Sequence, residues 1–429
     1  MPTASAPADT ADPADSPELS SRMTAPERRA SAALAAIFAL RMLGLFLLLP
    51  VFALEAVHYP GGDNPLRVGL ALGIYGLTQA LLQIPLGMAS DRWGRKRIIQ
   101  AGLALFAIGS LVAAWAPTLE WLTLGRALQG AGAISAAVTA LLADLTRDAV
   151  RTKAMALVGI SIALTFALSL VVAPPLVAAV GLGGLFVLTA VLAVLGMWVV
   201  ARVVPPEPPR LPTAARASLR TVLLDHRLAR LNLGVFMLHA VQLALWVALP
   251  ALLLQAGLEA AKHGWVYLLA VLAAFGVMGA LLFRLERRGY LRAVFLGAIG
   301  LIALAQLGLW WSASLGAPPL ALLALLLFLF FLGFNTLEAS QPSLVSRLAS
   351  ASQRGAALGV YNTLQSLGFF VGGVAGGALV ALWGHDGLFL ACAALTLLWL
   401  LLAWGMPALP AGRAQRQGPA AATAKPDAP

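Results

Sequence analysis

Cysteine is almost missing from this chain: Cys392 stands alone inside an apolar run, so no intramolecular disulfide can form and no redox or cysteine-based metal motif can be assembled. Charge is scarce as well, with 11% Asp, Glu, Lys and Arg against 60% hydrophobic residues in a chain of 429. That is too little polar surface to cover a soluble globule, so lipid is the expected solvent. Acidic residues are the rarest charges, 18 against 29 basic ones. The resulting net charge of +11 could suggest nucleic acid, but the basic residues gather at alternate ends of the apolar runs and not on one face, so no nucleic-acid partner is expected. HExxH, GxSxG and paired catalytic aspartates are also missing, which argues against an intramembrane enzyme; no cofactor or metal is expected.

What is present is a succession of long apolar segments, such as 320–332, separated by short connections. Crossing a hydrocarbon core of about 30 Å takes about 20 residues of helix. The runs are continuously apolar, whereas barrel strands would alternate, so helix is the spanning element. Twelve spans are predicted, at 31–56, 66–90, 98–117, 119–146, 153–179, 183–204, 228–255, 263–285, 291–313, 319–348, 355–383 and 386–406. Of the 29 basic residues, only Arg67 and Lys262 fall at one set of span ends, Arg41 and Arg126 lie inside spans, and the rest share the other set. The positive-inside rule then predicts a multi-pass protein of a bacterial-type inner membrane with both termini cytoplasmic.

Residues 1–30 and 407–429, rich in Ala and Pro, read as disordered tails, the first lacking the apolar core of a signal peptide. Between them the chain divides into bundles 31–204 and 228–406 joined by a linker, 205–227, whose prolines give way to a basic stretch able to form a short helix on the inner leaflet. The halves echo one another: Asp91-Arg92-Trp93-Gly94 follows span 2 as Glu286-Arg287-Arg288-Gly289 follows span 8. The fold class expected is an all-α membrane protein of two pseudo-symmetric six-helix bundles, acting as a monomer.

At the end of span 2 stand Gly87, Asp91, Arg92, Gly94, Arg95 and Lys96. Gly87 permits close helix approach, the cations suit a helix C-terminus and the inner leaflet, and Asp91 can pair with an arginine. With Asp144 at the end of span 4, two carboxylates around Arg95 are expected to switch partners and to latch the inner ends of the halves. The ordered string G-x-x-x-D-R-x-G-R-K resembles the loop 2–3 signature of the major facilitator superfamily at every specified position, and Arg126-Ala127-Leu128-Gln129-Gly130-Ala131-Gly132 resembles its span 4 signature. Strings such as Leu40-Arg41-Met42-Leu43-Gly44 and Ile74-Tyr75-Gly76-Leu77-Thr78-Gln79 resemble the YajR group of proton-driven drug exporters within it, over about residues 31–400. The tail after Met406 does not match that group's soluble C-terminal domain, and Ala173-Pro174-Pro175 replaces the G-P that exporters often carry in span 5, suggesting a local bend there. The resemblance implies the major facilitator fold, alternating access, and a part in proton coupling for Arg126.

Inside the spans, Arg41 and Glu338 each lie ten residues from an inner end, about 15 Å deep at 1.5 Å per residue, and are expected to share a central cavity. Glu338 is the candidate for proton binding, because burial raises a carboxylate pKa and a nearby arginine lowers it. Arg126 falls nearer the outer end of span 4, away from Arg41's depth. Cavity-lining candidates are Asn335, one turn from Glu338, the helical set His239, Gln242 and Trp246, and Tyr361, Asn362 and Gln365 in span 11. The stripe Gly368, Gly372, Gly376 reads as close helix packing. The function expected is proton-coupled antiport exporting amphipathic organic compounds; proton-coupled import by the same fold, and a receptor or scaffold without transport, stay open.

Overall fold

The computed structural model describes residues 22–208, 219–350 and 353–406, all of them helix or short connection. The helices are α1 (Ala25–Phe46), α2 (Phe52–Glu55), α3 (Pro65–Trp93), α4 (Arg95–Ala114), α5 (Leu119–Ala131), α6 (Ser135–Asp144) and α7 (Asp148–Arg202). Inside the expected linker lies α8 (Leu219–Leu224), and there follow α9 (His226–Gln255), α10 (His263–Arg287), α11 (Leu291–Ser314), α12 (Leu320–Leu348) and α13 (Arg354–Trp404). Among the described residues, 10 helical stretches are long and apolar enough to cross a membrane. Two of these, α7 and α13, contain 55 and 51 residues. At 1.5 Å per residue each would run to about 80 Å, well over twice the hydrocarbon thickness. Each is interrupted once, at Gly181 (φ 69°, ψ 175°) and at Gly384 (φ 74°, ψ −174°), dihedrals open in practice only to glycine.

The helix starts and stops differ from the expected spans where local chemistry intervenes. α1 begins six residues before the expected tail ends, because Thr24 and Glu27 form a capping box: Thr24 N–H donates to Glu27 Oε2 at 2.8 Å and Glu27 N–H donates to Thr24 Oγ1 at 3.4 Å. It stops at Phe46, four residues before Pro50, whose ring excludes a helical carbonyl at that spacing. The expected continuous span 119–146 is instead α5 and α6 with a break at 132–134. There the glycines squeeze against neighbouring backbones: a Cβ on Gly130 would lie 2.1 Å from the Tyr75 carbonyl oxygen, and one on Gly132 would lie 2.4 Å from that of Gly102. In α7 the non-helical dihedrals fall at Gly181, not at Pro174 or Pro175.

Glycines with positive φ recur at matching places in the two parts of the chain: Gly61 and Gly257, Gly94 and Gly289, Gly181 and Gly384. The tightest contact between the parts is α3 against α13, where a Cβ on Gly69 would meet the Gly373 oxygen at 2.1 Å and one on Gly377 would meet the Pro65 oxygen at 2.2 Å. Small residues let backbones approach this closely where lipid supplies no hydrophobic drive between helices. The other stripe of α13 packs on α9, Gly368 on Phe236 and Gly372 on Ala240, as the glycine spacing predicts. A third contact sets Gly264 of α10 on the carbonyls of Leu170 and Val171 of α7. The Gly69, Gly377 and Gly264 contacts lie toward the end of the molecule that carries Pro65, Gly257 and Gly384, and the Gly368 contact lies near mid-helix.

The opposite end is basic. A Cβ on Gly355 or Gly359 of α13 would meet nothing within 4 Å. A cavity of about 570 Å³ opens at this end, lined by Ser343, Ser346, Arg347 and Arg354 among others. Of the 11 tryptophans only Trp246 and Trp399 are buried, and Trp93, Trp115, Trp121, Trp265, Trp383 and Trp404 stand exposed at helix ends or breaks, the positions that membrane interfaces favour.

Candidate functional site

Two clusters of polar side chains lie where the parts meet. In the first, Tyr75 of α3 stands between two guanidinium groups, with Arg41 5.8 Å and Arg126 5.1 Å from its ring centroid. Arg41 of α1 donates to the Tyr75 hydroxyl at 2.7 Å, to Gln79 Oε1 at 3.1 Å and to Ser135 Oγ at 3.2 Å. Arg126 of α5 donates to Gln129 Oε1 at 2.9 Å and to the Leu72 carbonyl at 3.4 Å, and Gln129 donates in turn to Ser110 Oγ. Both arginines are buried, at 2% and 1% exposure, and no carboxylate pairs with either among the described residues. A charge at the centre of a bilayer costs about 2.5–3.5 kcal/mol on insertion scales, so two unpaired ones side by side are a strong chemical statement. The expected separation in depth shrinks to the two sides of one tyrosine, because the break after Ala131 and the insertion of Gly130 against Tyr75 draw α5 onto α3.

The second cluster is built by α9, α12 and α13. Glu338 does not pair with Arg41; its ionisable partner is His239, with Nε2 at 3.3 Å from Glu338 Oε2. His239 Nδ1 lies 2.9 Å from the Val235 carbonyl, which fixes a proton on that nitrogen and turns Nε2 toward the acid. Gln365 reaches both, its Nε2 being 2.7 Å from His239 Nε2 and 3.4 Å from Glu338 Oε1. Glu338 Oε2 has no hydrogen-bond donor of its own and lies 3.3 Å from His239 Nε2. Phe334 and Phe369 pack edge-on against the imidazole, at 5.7 and 4.9 Å between centroids. His239 is 2% exposed and Glu338 39%, so the acid is the member of the pair that meets solvent.

Gln79 joins the clusters across the seam. Its Oε1 accepts from Arg41, and its Nε2 donates to Ser366 Oγ at 3.1 Å, next in sequence to Gln365. Arg41 and Glu338 thus make no direct contact: the bonds from Arg41 run through Gln79 to Ser366, while the neighbouring Gln365 bonds Glu338. Around these residues Asn335 Nδ2, Gln242 Oε1, Tyr361 Oη and Trp246 Nε1 are buried without hydrogen-bond partners. Asn335 and Tyr361 sit one turn from Glu338 and Gln365 respectively, while Trp246 packs edge-on against Tyr267 at 5.3 Å, deeper in the helix core. The Asn362 carbonyl accepts from Ser366 Oγ, holding that hydroxyl in place. An aromatic chain from Phe46 to Phe166 (5.1 Å) to Phe331 (6.0 Å) crosses the seam on the sealed side.

At the basic end, Arg95 contacts Asp91 and, at 3.2 Å, Asp144, so both expected carboxylates do surround it. Its Nη1 also donates to Ser90 Oγ at 2.8 Å. These contacts tie α3, α4 and α6 within one half; the expected latch to the other half is not what Arg95 makes. Gly94, at φ 111°, turns the chain from α3 directly into α4, and Gly87 lets Ala136 approach to 3.2 Å from a Cβ position. Glu207, which opens the linker, accepts from the backbone N–H groups of Arg95 and Lys96 at 3.2 and 2.6 Å, an N-terminal cap that the loop motif does not reveal. Lys96 Nζ donates to the Val204 carbonyl at 2.7 Å, and Arg92 lies exposed beside it. Glu27 was also not foreseen: it accepts from Arg147 N, Nε and Nη2 at 3.0, 2.8 and 3.1 Å, and that bonding holds the Arg147 guanidinium above its ordinary pKa.

Comparison with known proteins agrees with this architecture. The sequence profile of the Major Facilitator Superfamily matches residues 33–373 and 285–429. The chain is 42% identical over 392 residues to "Inner membrane transport protein YajR" of Escherichia coli (strain K12), covering 89% of this chain and 84% of that one. It is 28% identical over 355 residues to "Multidrug resistance protein MdtH" of Aeromonas salmonicida, covering 79% and 84%. Among solved structures it is similar to the nucleoside transporter NupG, with a TM-score of 0.69 at 14% identity over 87% of this chain and 99% of that one.

Proposed function

The chain belongs to the Major Facilitator Superfamily, a family of multi-pass membrane transporters, and from that premise we propose that it exchanges protons for an amphipathic organic compound, expelling the compound from the cell. The observation that carries this reading is the Glu338–His239 pair, bridged by Gln365, with the histidine buried and the acid 39% exposed. A carboxylate and an imidazole sharing one proton position form a group that loads and unloads a proton as its surroundings change.

Twelve crossings follow once α7 and α13 are each counted as two spans hinged at Gly181 and Gly384, with the matched glycines marking two six-helix halves. The positive-inside rule sets the basic end and both termini in the cytoplasm. On this reading the close packing of Gly69 and Gly73 on Gly373 and Gly377 seals the outer side of the seam, and access is from the inside. Rocking the halves about the Tyr75 and Glu338 layer would seal the inside and admit external protons to the pair. Arg41, Arg126 and Gln79 would couple that proton to the first half, and Asp91, Arg95 and Asp144 would exchange partners as the inner ends move.

The experiment is counterflow in sealed proteoliposomes with a pH-sensitive dye. For export, an imposed pH gradient moves solute and protons in opposite directions, and Glu338→Gln removes the proton movement. Solute and protons travelling together would make the protein an importer, and specific binding without any flux would make it a receptor.

A further inference from the structure

Resting on the transport reading above, we propose that the compound carried is an organic anion, a single carboxylate or sulfonate on an apolar body, whose charge docks at the Arg126 side of the Arg41–Tyr75–Arg126 cluster. Both guanidinium groups are buried, and every hydrogen bond recorded for them goes to a neutral acceptor: Ser135, Tyr75 and Gln79 for one, Gln129 and the Leu72 carbonyl for the other. The Nε atoms of Arg41 and Arg126 have no partner at all. The nearest acid that the seam offers, Glu338, is engaged by His239 and Gln365. A buried cation is normally paired, because an uncompensated one in a medium of low dielectric is costly. Here two are held ready, and no residue among those described supplies the counter-charge.

The surroundings define the rest of the ligand. Arg126 and Tyr75 open on a narrow void whose other walls are apolar: Leu45, Leu49 and Leu72 from one half, Leu243 and Phe369 from the other. Its closing walls therefore come from both halves, so separation of the halves is the movement that widens it. A cationic ligand would bring a third positive charge to this place, and a neutral one could accept from the two Nε–H donors but would leave the two charges unbalanced. An anion with an aromatic or aliphatic body answers both the charge and the walls.

The test uses the purified full-length chain and three radiolabelled probes that share one ring: naphthalene-2-carboxylate, its amide, and 2-naphthylmethylammonium. In equilibrium dialysis the carboxylate should bind at least about tenfold more tightly than the amide, as expected for charge-assisted bonds to arginine, and the ammonium should bind weakest. Arg126→Gln and Arg41→Gln should each weaken binding of the carboxylate more than that of the amide and so shrink that preference. Because the ligand series is read on the unaltered protein, the outcome does not depend on either variant folding. Equal affinity for carboxylate and amide, tightest binding of the ammonium, or no binding of the carboxylate would each overturn the anion assignment. Flux in proteoliposomes separates the two readings: transport of the amide or ammonium without the carboxylate leaves the transporter standing and removes the anion site. Carboxylate binding that never becomes flux keeps the site and removes the transporter.

Discussion

The two halves share a plan and differ in chemistry. One buries two arginines around Tyr75 with no acid beside them, whereas the other buries a histidine against Glu338 and surrounds the pair with amides and phenyl rings. Their matched glycines, at 61 and 257, 94 and 289, 181 and 384, keep the turns alike while the seam-facing side chains diverge. Backbone conformation is thus what the halves have in common, and charge is what distinguishes them.

The comparison can be broken most severely at Glu338. Glu338→Gln should abolish proton-linked flux while the protein still folds, measured by vesicle pH dye and by the thermal unfolding midpoint; unchanged coupled flux would dismiss the acid. His239→Gln should act less completely, narrowing the pH range of transport, because Glu338 retains Gln365 but loses the partner that shares its proton; a pH profile identical to that of the unaltered protein would make the histidine a packing residue. Gly373→Val puts a side chain where a Cβ already lies 2.5 Å from the Gly69 oxygen. Overpacking of this kind costs about 1–3 kcal/mol and should favour opening at the sealed end, read by labelling of cysteines introduced near Pro65. Asp144→Asn removes one partner of Arg95, and with Asp144 41% exposed the loss of stability should be below about 1 kcal/mol. Its transport rate is the informative readout, since an intact rate would end the idea of partner exchange. Smallest of all, Arg67→Ala should leave stability within roughly 0.5 kcal/mol of the unaltered protein, because the Arg67–Glu120 pair is open to solvent on both sides.

Much of the scaffold was legible because membrane helices announce themselves by length and apolarity, and because the loop string from Gly87 to Lys96 fixes a glycine turn and an arginine between carboxylates. Arg41, Arg126 and Glu338 stood out as charges inside apolar runs. Their partners did not. Tyr75 binds arginines 34 and 51 positions away, and Gln79 meets Ser366 across 287 positions, so no local pattern links them. Proximity of Glu338 and Arg41 in depth was a fair inference from helix rise, yet depth carries no azimuth, and the face of α12 that holds Glu338 turns to His239. The breaks in α1 and between α5 and α6 come from Pro50 and from glycines compressed by neighbouring backbones, a tertiary effect that apolar periodicity does not report. Glu207 and Glu27 were hidden for a similar reason: each is an ordinary acid in a polar stretch until folding sets it on a helix start or an arginine.

Proton release on ligand binding tests the central claim most directly. Purified protein in unbuffered solution with a pH dye is mixed with a compound that the vesicle screen has shown to be carried. The Glu338–His239 account predicts that the unaltered chain releases protons on binding and that Glu338→Gln binds the compound without releasing any. Equal release from both proteins, or binding to the unaltered chain with no release, would contradict it.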